Sequence, residues 1–247
     1  MDIARHRILV TGGTRGIGLG LARSLARRGA HVAVCSRTDL SSDEVQALYP
    51  GAVHFSVDLT SSVDREALVE RVRSTFGSPT MLVNNAGVQF NHDWMETRPE
   101  DRLCWARKEA LANFVAPLEL TALFLGDLVA APEAAVVNVT SALALAPKRS
   151  APVYCATKAG LRSFTRALRH QLAAHPHVRV VEAAPPVVDT AMTAGRREGK
   201  MQPESVAEAI VEGLAANRDE IWIGKTRIAH ALWRVAPWLV ARLLRDA

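Results

Sequence analysis

Cysteine is scarce: Cys35, Cys104 and Cys155 are the three in 247 residues. They are odd in number, widely spaced and outside any CxxC or Cys/His cluster, which excludes a disulfide framework and a zinc site and makes a reducing cytoplasm the expected setting. No run of about 20 apolar residues stands out, so no membrane-spanning helix is expected. The apolar run Ile8-Leu9-Val10 near the start is too short, and too soon followed by glycines, to be a signal peptide core. Low-complexity tracts, repeats, linkers and shifts of composition are also missing, and one domain is the simplest reading. The net charge of +5 and the pI near 9.5 come from dispersed arginines. With no basic block interleaved with aromatics, nucleic acid is not an expected partner, whereas a phosphorylated cofactor suits the charge.

What is present is an alternation of short apolar runs and helical periodicity. Arg7 to Thr11 reads as a strand and Ile17 to Arg28 as a helix, joined by Thr11-Gly12-Gly13-Thr14-Arg15-Gly16-Ile17-Gly18. Glycines in such a strand–turn–helix let the backbone approach a pyrophosphate, whose charge is held by amides at the helix start. The spacing is looser than GxGxxG, and an ordinary glycine turn is the bland alternative. His31 to Arg37 reads as a second strand. An acidic residue at its end would suit the ribose of NAD, and this chain offers Ser36 and Arg37 instead, with Arg15 as a second cation, which points to the 2′-phosphate of NADP. Strands follow at 53–57, 80–83, 134–139, 178–183 and 220–224, with helices at 61–76, 100–129, 151–174 and 203–216 and a mobile loop expected at 191–202. This order predicts an α/β fold with a doubly wound parallel sheet of about seven strands in three layers, α/β/α.

Polar groups gather where these strands end. Asp58 after the third strand either contacts an adenine or caps the next helix, and the two are compatible. Asn84-Asn85-Ala86-Gly87 closes the fourth strand, and Thr140-Ser141 the fifth. Asn113, among Leu111, Phe114 and Leu118, reads on its own as a helix-bending or satisfied core amide. Tyr154 and Lys158, four apart on one helix face, place an ammonium beside a phenol and favour its ionised form. Alone, that pair is an ordinary helix surface pair.

Together, TGGTRGIG at 11–18, NNAG at 84–87, Asn113, Ser141 and YCATK at 154–158 resemble the short-chain dehydrogenase/reductase family, over roughly residues 7–225. The resemblance implies a Rossmann-type domain over 1–225. It implies Tyr154 as catalytic acid/base, Lys158 lowering its pKa and holding the nicotinamide ribose, Ser141 on the substrate oxygen and Asn113 in a water-linked proton relay. Cofactor contacts are implied at Gly12, Thr14, Arg15, Gly16, Ile17, Gly18, Ser36, Arg37, Asp58, Leu59, Asn85, Ala86, Gly87, Tyr154, Lys158, Pro185, Val188 and Thr190, and no metal is implied. Relatives pair through long helices, so a homodimer or homotetramer is expected.

The expected activity is NADPH-dependent reduction of a ketone or aldehyde, or the reverse oxidation, on a small to medium substrate. An apolar substrate is inferred from Val88, Phe90, Trp94, Leu143 and Leu145. The alternatives are C=N or activated C=C reduction, or a non-catalytic NADP-sensing protein. One departure is Pro185-Pro186 where the family has Pro-Gly, which removes an amide donor. Another is the amphipathic extension 226–247, which Pro237 splits into two short helices. Packing on its own domain or on a partner subunit is the first expectation for it; covering the cleft, or lying on a membrane surface, are the others. The double proline, the IWIGKTR run and this tail resemble the DltE-like branch.

Overall fold

A computed structural model describes residues 1–193 and 199–246. Seven parallel strands form one sheet in the order β3-β2-β1-β4-β5-β6-β7. They are β1 Arg7–Thr11, β2 His31–Ser36, β3 Val53–Ser56, β4 Met81–Asn84, β5 Ala134–Val139, β6 Val178–Ala184 and β7 Glu220–Trp222. Because successive side chains on a strand face opposite ways, the central strands feed two cores. Ile8, Val10, Met81 and Val83 pack with Leu21 and Leu25 of α1 (Gly16–Arg27) and Ile210 and Leu214 of α7 (Pro203–Ala215). Leu9, Leu82 and Val136 pack on the other face with Leu68, Leu120, Phe124 and Leu168, from α3 (Ser62–Thr75), α5 (Ala116–Ala130) and α6 (Pro152–Gln171). The expected three-layer, doubly wound architecture is therefore what forms. β1 lies between β2 and β4, so the order reverses there, and ligands of such sheets bind at the carboxyl ends beside that reversal.

Several expectations are corrected. Ser42–Leu48 is a helix, α2, that the sequence reading passed over; Ser41 and Glu44 close a reciprocal capping box on it. The long helix at 100–129 is three pieces: α4 Pro99–Ala110, a π-helical turn Leu111–Val115 and α5. Contrary to expectation, the continuous run Pro99–Ala130 is long and apolar enough to cross a membrane by length and composition. In the fold, Leu120, Phe124 and Leu128 of this run are fully buried against the sheet, the position of a core helix. The cap of α3 is Ser61, whose Oγ accepts from the Asp64 amide, and not Asp58. In the loop expected at 191–202, Ala191–Thr193 is a single 3-10 turn and Met201 bridges to Val188; residues 194–198 lie outside the described residues. As expected, Pro237 divides the tail, into α8 Lys225–Trp233 and α9 Pro237–Leu244.

Candidate active site

The glycine turn is locked from three sides. Gly12 has φ +65 and Gly16 φ +54, left-handed values that glycine adopts without strain. A Cβ on Gly12 would lie 2.9 Å from the Ala86 Cα, one on Gly16 3.0 Å from the Thr190 Cγ2, and one on Gly18 2.1 Å from the Gly12 carbonyl oxygen. The turn thus touches the loops after β4 and β6. Asn85 secures the first contact: its Nδ2 donates to the Thr11 carbonyl (2.9 Å), while the Asn85 and Ala86 amides donate to Thr11 Oγ1 (3.0 Å each). From below, the buried Tyr49 hydroxyl donates to the Gly13 carbonyl at 2.5 Å. That anchor was missed in the sequence because it depends on α2. Thr14 lies in the turn, Ile17 and Gly18 are in the first turn of α1, and Arg15 is exposed at its N-cap.

Beside the turn, Arg37 is exposed at the end of β2. Ser36 Oγ lies 3.0 Å from His54 Nε2, a partner the sequence reading did not identify. Asp58 sits next to them, its carboxyl held below the usual range by the Thr60 amide first, and also by the Thr60 hydroxyl, Arg37 and Arg65. The Leu59 side chain is in the core and offers the site only backbone. Pro185 and Val188 are buried, with Thr190 half-buried beside Gly16.

The candidate catalytic residues lie about the ends of β4 and β5. The Lys158 Nζ lies 5.8 Å from the Tyr154 ring centre and donates to the Val139 carbonyl at 2.8 Å. Lys158 is buried, and desolvation lowers its ammonium to about 8. Gly87 leaves room for it: a Cβ there would be 3.1 Å from Asn113 Oδ1 and 3.8 Å from Lys158 Nζ. Ser141 Oγ accepts from the Leu143 amide (3.2 Å), opening a 3-10 turn. Behind it, buried Glu182 accepts from Thr140 Oγ1 (2.8 Å) and Arg162 Nη1 (2.6 Å), tying the residue before Ser141 to the turn after Lys158.

Asn113, buried in the π-helical turn, is the satisfied core amide that its surroundings suggested. Its Oδ1 accepts from the Val88 amide and its Nδ2 donates to the Val88 carbonyl, both at 2.8 Å, with Thr157 Oγ1 at 3.3 Å. Four residues back, Glu109 Oε1 accepts from the Phe90 amide (2.8 Å). Four further back, Trp105 stacks on Phe90 at 5.5 Å and meets the His92 ring edge-on at 5.0 Å. One helical stripe, 105, 109 and 113, therefore grips 92, 90 and 88 in turn. Phe90, expected near the cleft, is half-buried with its ring stacked on Trp105.

Burial pushes the Glu109 carboxyl up to about 7. Its Oε2 is buried with no hydrogen-bond partner among the described residues. A raised carboxyl favours the fold in its protonated form, so its contribution is complete below the unfolded value and is lost as pH rises through about 7. Chemical denaturation should show the wild type losing roughly 2–3 kcal/mol between about pH 5 and about pH 8 from this group. Glu109→Gln should remove most of that loss; an unchanged pH slope would refute the assignment.

Against known proteins, the chain matches the short chain dehydrogenase family over residues 6–201. It is 38% identical over 227 residues to the uncharacterized oxidoreductase DltE of Bacillus subtilis, covering 90% of this chain and 89% of that protein. It is 29% identical to the ketoacyl reductase HetN of a Nostoc species, over 96% of this chain and 88% of that one. A crystal structure of a short chain dehydrogenase from Burkholderia cenocepacia, in complex with NADP, superposes with a TM-score of 0.84 at 27% identity over the whole of both chains. With the parallel sheet, the glycine turn and the tyrosine–lysine helix already in place, these likenesses make the chain a short chain dehydrogenase, an oxidoreductase of the DltE-like branch.

Proposed function

We propose that the chain is an NADPH-dependent oxidoreductase that reduces a ketone or aldehyde, or oxidises the corresponding alcohol, with Tyr154 as general acid/base. The observation that carries this reading is the buried Lys158 ammonium, held between the Val139 carbonyl, Gly87 and the Tyr154 ring. A buried cation there favours a phenol that gives and takes a proton near neutrality.

The residues fit a dinucleotide. The glycine turn leaves no room for side chains, which is what a backbone approached by a pyrophosphate needs. Arg15 at the N-cap of α1 and Arg37 just after β2 are both exposed, available to a 2′-phosphate. When bound, the nicotinamide supplies or takes the hydride. The Tyr154 hydroxyl gives its proton to the carbonyl oxygen, and the Ser141 hydroxyl donates to the same oxygen as charge develops on it. Asn113, which holds Val88 by two hydrogen bonds, supports a water-linked proton relay to these groups. We place the protein in a reducing compartment, as a homodimer or homotetramer.

The names of two relatives support an acyl or keto carbonyl over C=N: the ketoacyl reductase HetN, and a fatty acyl-CoA reductase of Acinetobacter baylyi, 27% identical over 93% of this chain. An apolar substrate agrees with both. Screening NADPH consumption over ketones, aldehydes, quinones and imines, with NADH as control, tests the reading. Turnover of apolar carbonyls is expected, and activity confined to charged sugars or imines would overturn it. Arg37→Ala should raise the NADPH dissociation constant about ten-fold or more while leaving NADH binding nearly unchanged, because one charge-assisted contact is lost. Equal effects on both cofactors in titration calorimetry would count against NADP selectivity.

A further inference from the structure

The C-terminal pair α8–α9 leaves large apolar side chains uncovered. Ile228 is 71% exposed, Val235 80%, Trp238 69% and Leu243 63%. Isolated exposed apolar residues need no explanation, but four large ones within sixteen positions mark an interaction surface. Its charge is of one sign: Lys225, Arg227, Arg234, Arg242 and Arg245 are all exposed. The one acid among the described residues from 225 on, Asp246, is taken up by Arg149 (3.3 Å) and Arg245 (3.0 Å). Lys225, Arg227, Arg234 and Arg242 form no ion pair among the described residues.

The pair also has a definite place. It starts beside the post-β6 turn, where a Cβ on Gly224 would lie 3.8 Å from the Pro186 ring, and it ends where the Arg149 amide donates to the Arg245 carbonyl at 2.8 Å. Both anchors belong to loops at the carboxyl edge of the sheet, the edge on which the candidate active site opens. Val187 and Met192 of the post-β6 segment add two more exposed apolar side chains near that rim.

We propose that this face docks on an anionic membrane surface, with the cleft opening toward the lipid. Exposed aliphatic side chains and an indole set among arginines have the composition of a segment that lies in the headgroup region. Each cation near an anionic bilayer adds attraction, and the four outside any described ion pair act together. Neither helix spans: nine and eight residues reach only about 14 Å, against roughly 30 Å of hydrocarbon. A second copy of the chain is the poorer occupant, since a two-fold contact through this face would set its cations against the same cations.

The test is co-sedimentation of the full chain with vesicles of phosphatidylcholine alone, or with about one-third phosphatidylglycerol, at low and high salt. Binding to the anionic vesicles should exceed binding to the neutral ones by about ten-fold or more and weaken with salt. Val235→Ser with Trp238→Ser should lower it about ten-fold, with melting temperature and NADPH affinity unchanged because both sites are exposed. Arg234→Glu with Arg242→Glu should abolish the preference for anionic lipid. Failure to bind anionic vesicles, equal binding to neutral ones, or wild-type binding by both variants would overturn the proposal. So would loss of subunit association in the serine variant by size exclusion with light scattering, which would assign the face to a protein contact.

Discussion

Tyr154→Phe should lower turnover by about 10²–10⁴-fold, the range that a general acid contributes, while the fold is kept, because the buried residues of its helix hold it on the sheet. Thr165 and Leu161 are fully buried and Leu168 nearly so, and Thr157 Oγ1 donates to the Tyr154 carbonyl, not to its side chain. The Lys158 ammonium keeps its 2.8 Å bond to Val139 whichever ring is present. A Phe variant with wild-type turnover would remove Tyr154 from the chemistry. One that still performed its cellular task without consuming NADPH would favour the sensing protein over the enzyme. Ser141→Ala should cost less, because Tyr154 remains to meet the same oxygen; roughly 10-fold or more is expected from losing one donor to the developing charge.

Among the described glycines, Gly18→Ala should be the most damaging alanine substitution. Its Cβ would lie 2.1 Å from the Gly12 carbonyl oxygen and 2.5 Å from Asn85 Nδ2. Two pieces of the cofactor turn must then move at once: the left-handed Gly12, and the amide that bridges the loop after β4 to Thr11. Overpacking of this kind costs about 1–3 kcal/mol. The larger effect should be on binding, since displacing a positioned group by about 1 Å is enough for a 10²-fold loss. NADPH titration should therefore show a dissociation constant raised by about 10²-fold or more. Gly126→Ala is the internal control. It lies exposed in α5 with nothing within 4 Å of an added Cβ, so it should stabilise by about 0.5–1 kcal/mol. Similar behaviour of the two variants would mean that the turn is not the tight cradle described.

The fold was readable because β1, β2 and β5 are continuous apolar runs, the pattern of strands covered on both faces, and because helix starts at Pro99, Pro152, Pro203 and Pro237 carry the proline that favours the first turn. The short α2 was not, although Ser41 and Glu44 form the reciprocal pair that marks a helix start. With Val45 as its single buried residue, it has no periodicity to follow. Tyr49 was lost with it, since only the return of the chain after α2 brings the hydroxyl under Gly13. Tyr154 and Lys158 were legible from their spacing, which a helix turns directly into adjacency. Glu109 was not: an acid in a charged stretch, Arg107-Lys108-Glu109, reads as solvated until the loop after β4 folds back over it.

The most direct measurement is isotope transfer. With a carbonyl substrate from the NADPH screen and NADPH carrying deuterium at the transferable position of its nicotinamide ring, mass spectrometry of the product should find one deuterium on the former carbonyl carbon in the wild type. In Tyr154→Phe the same label should form about 10²–10⁴ times more slowly. Deuterium on a former C=C or C=N carbon, or an unlabelled product, would contradict carbonyl reduction by this chain.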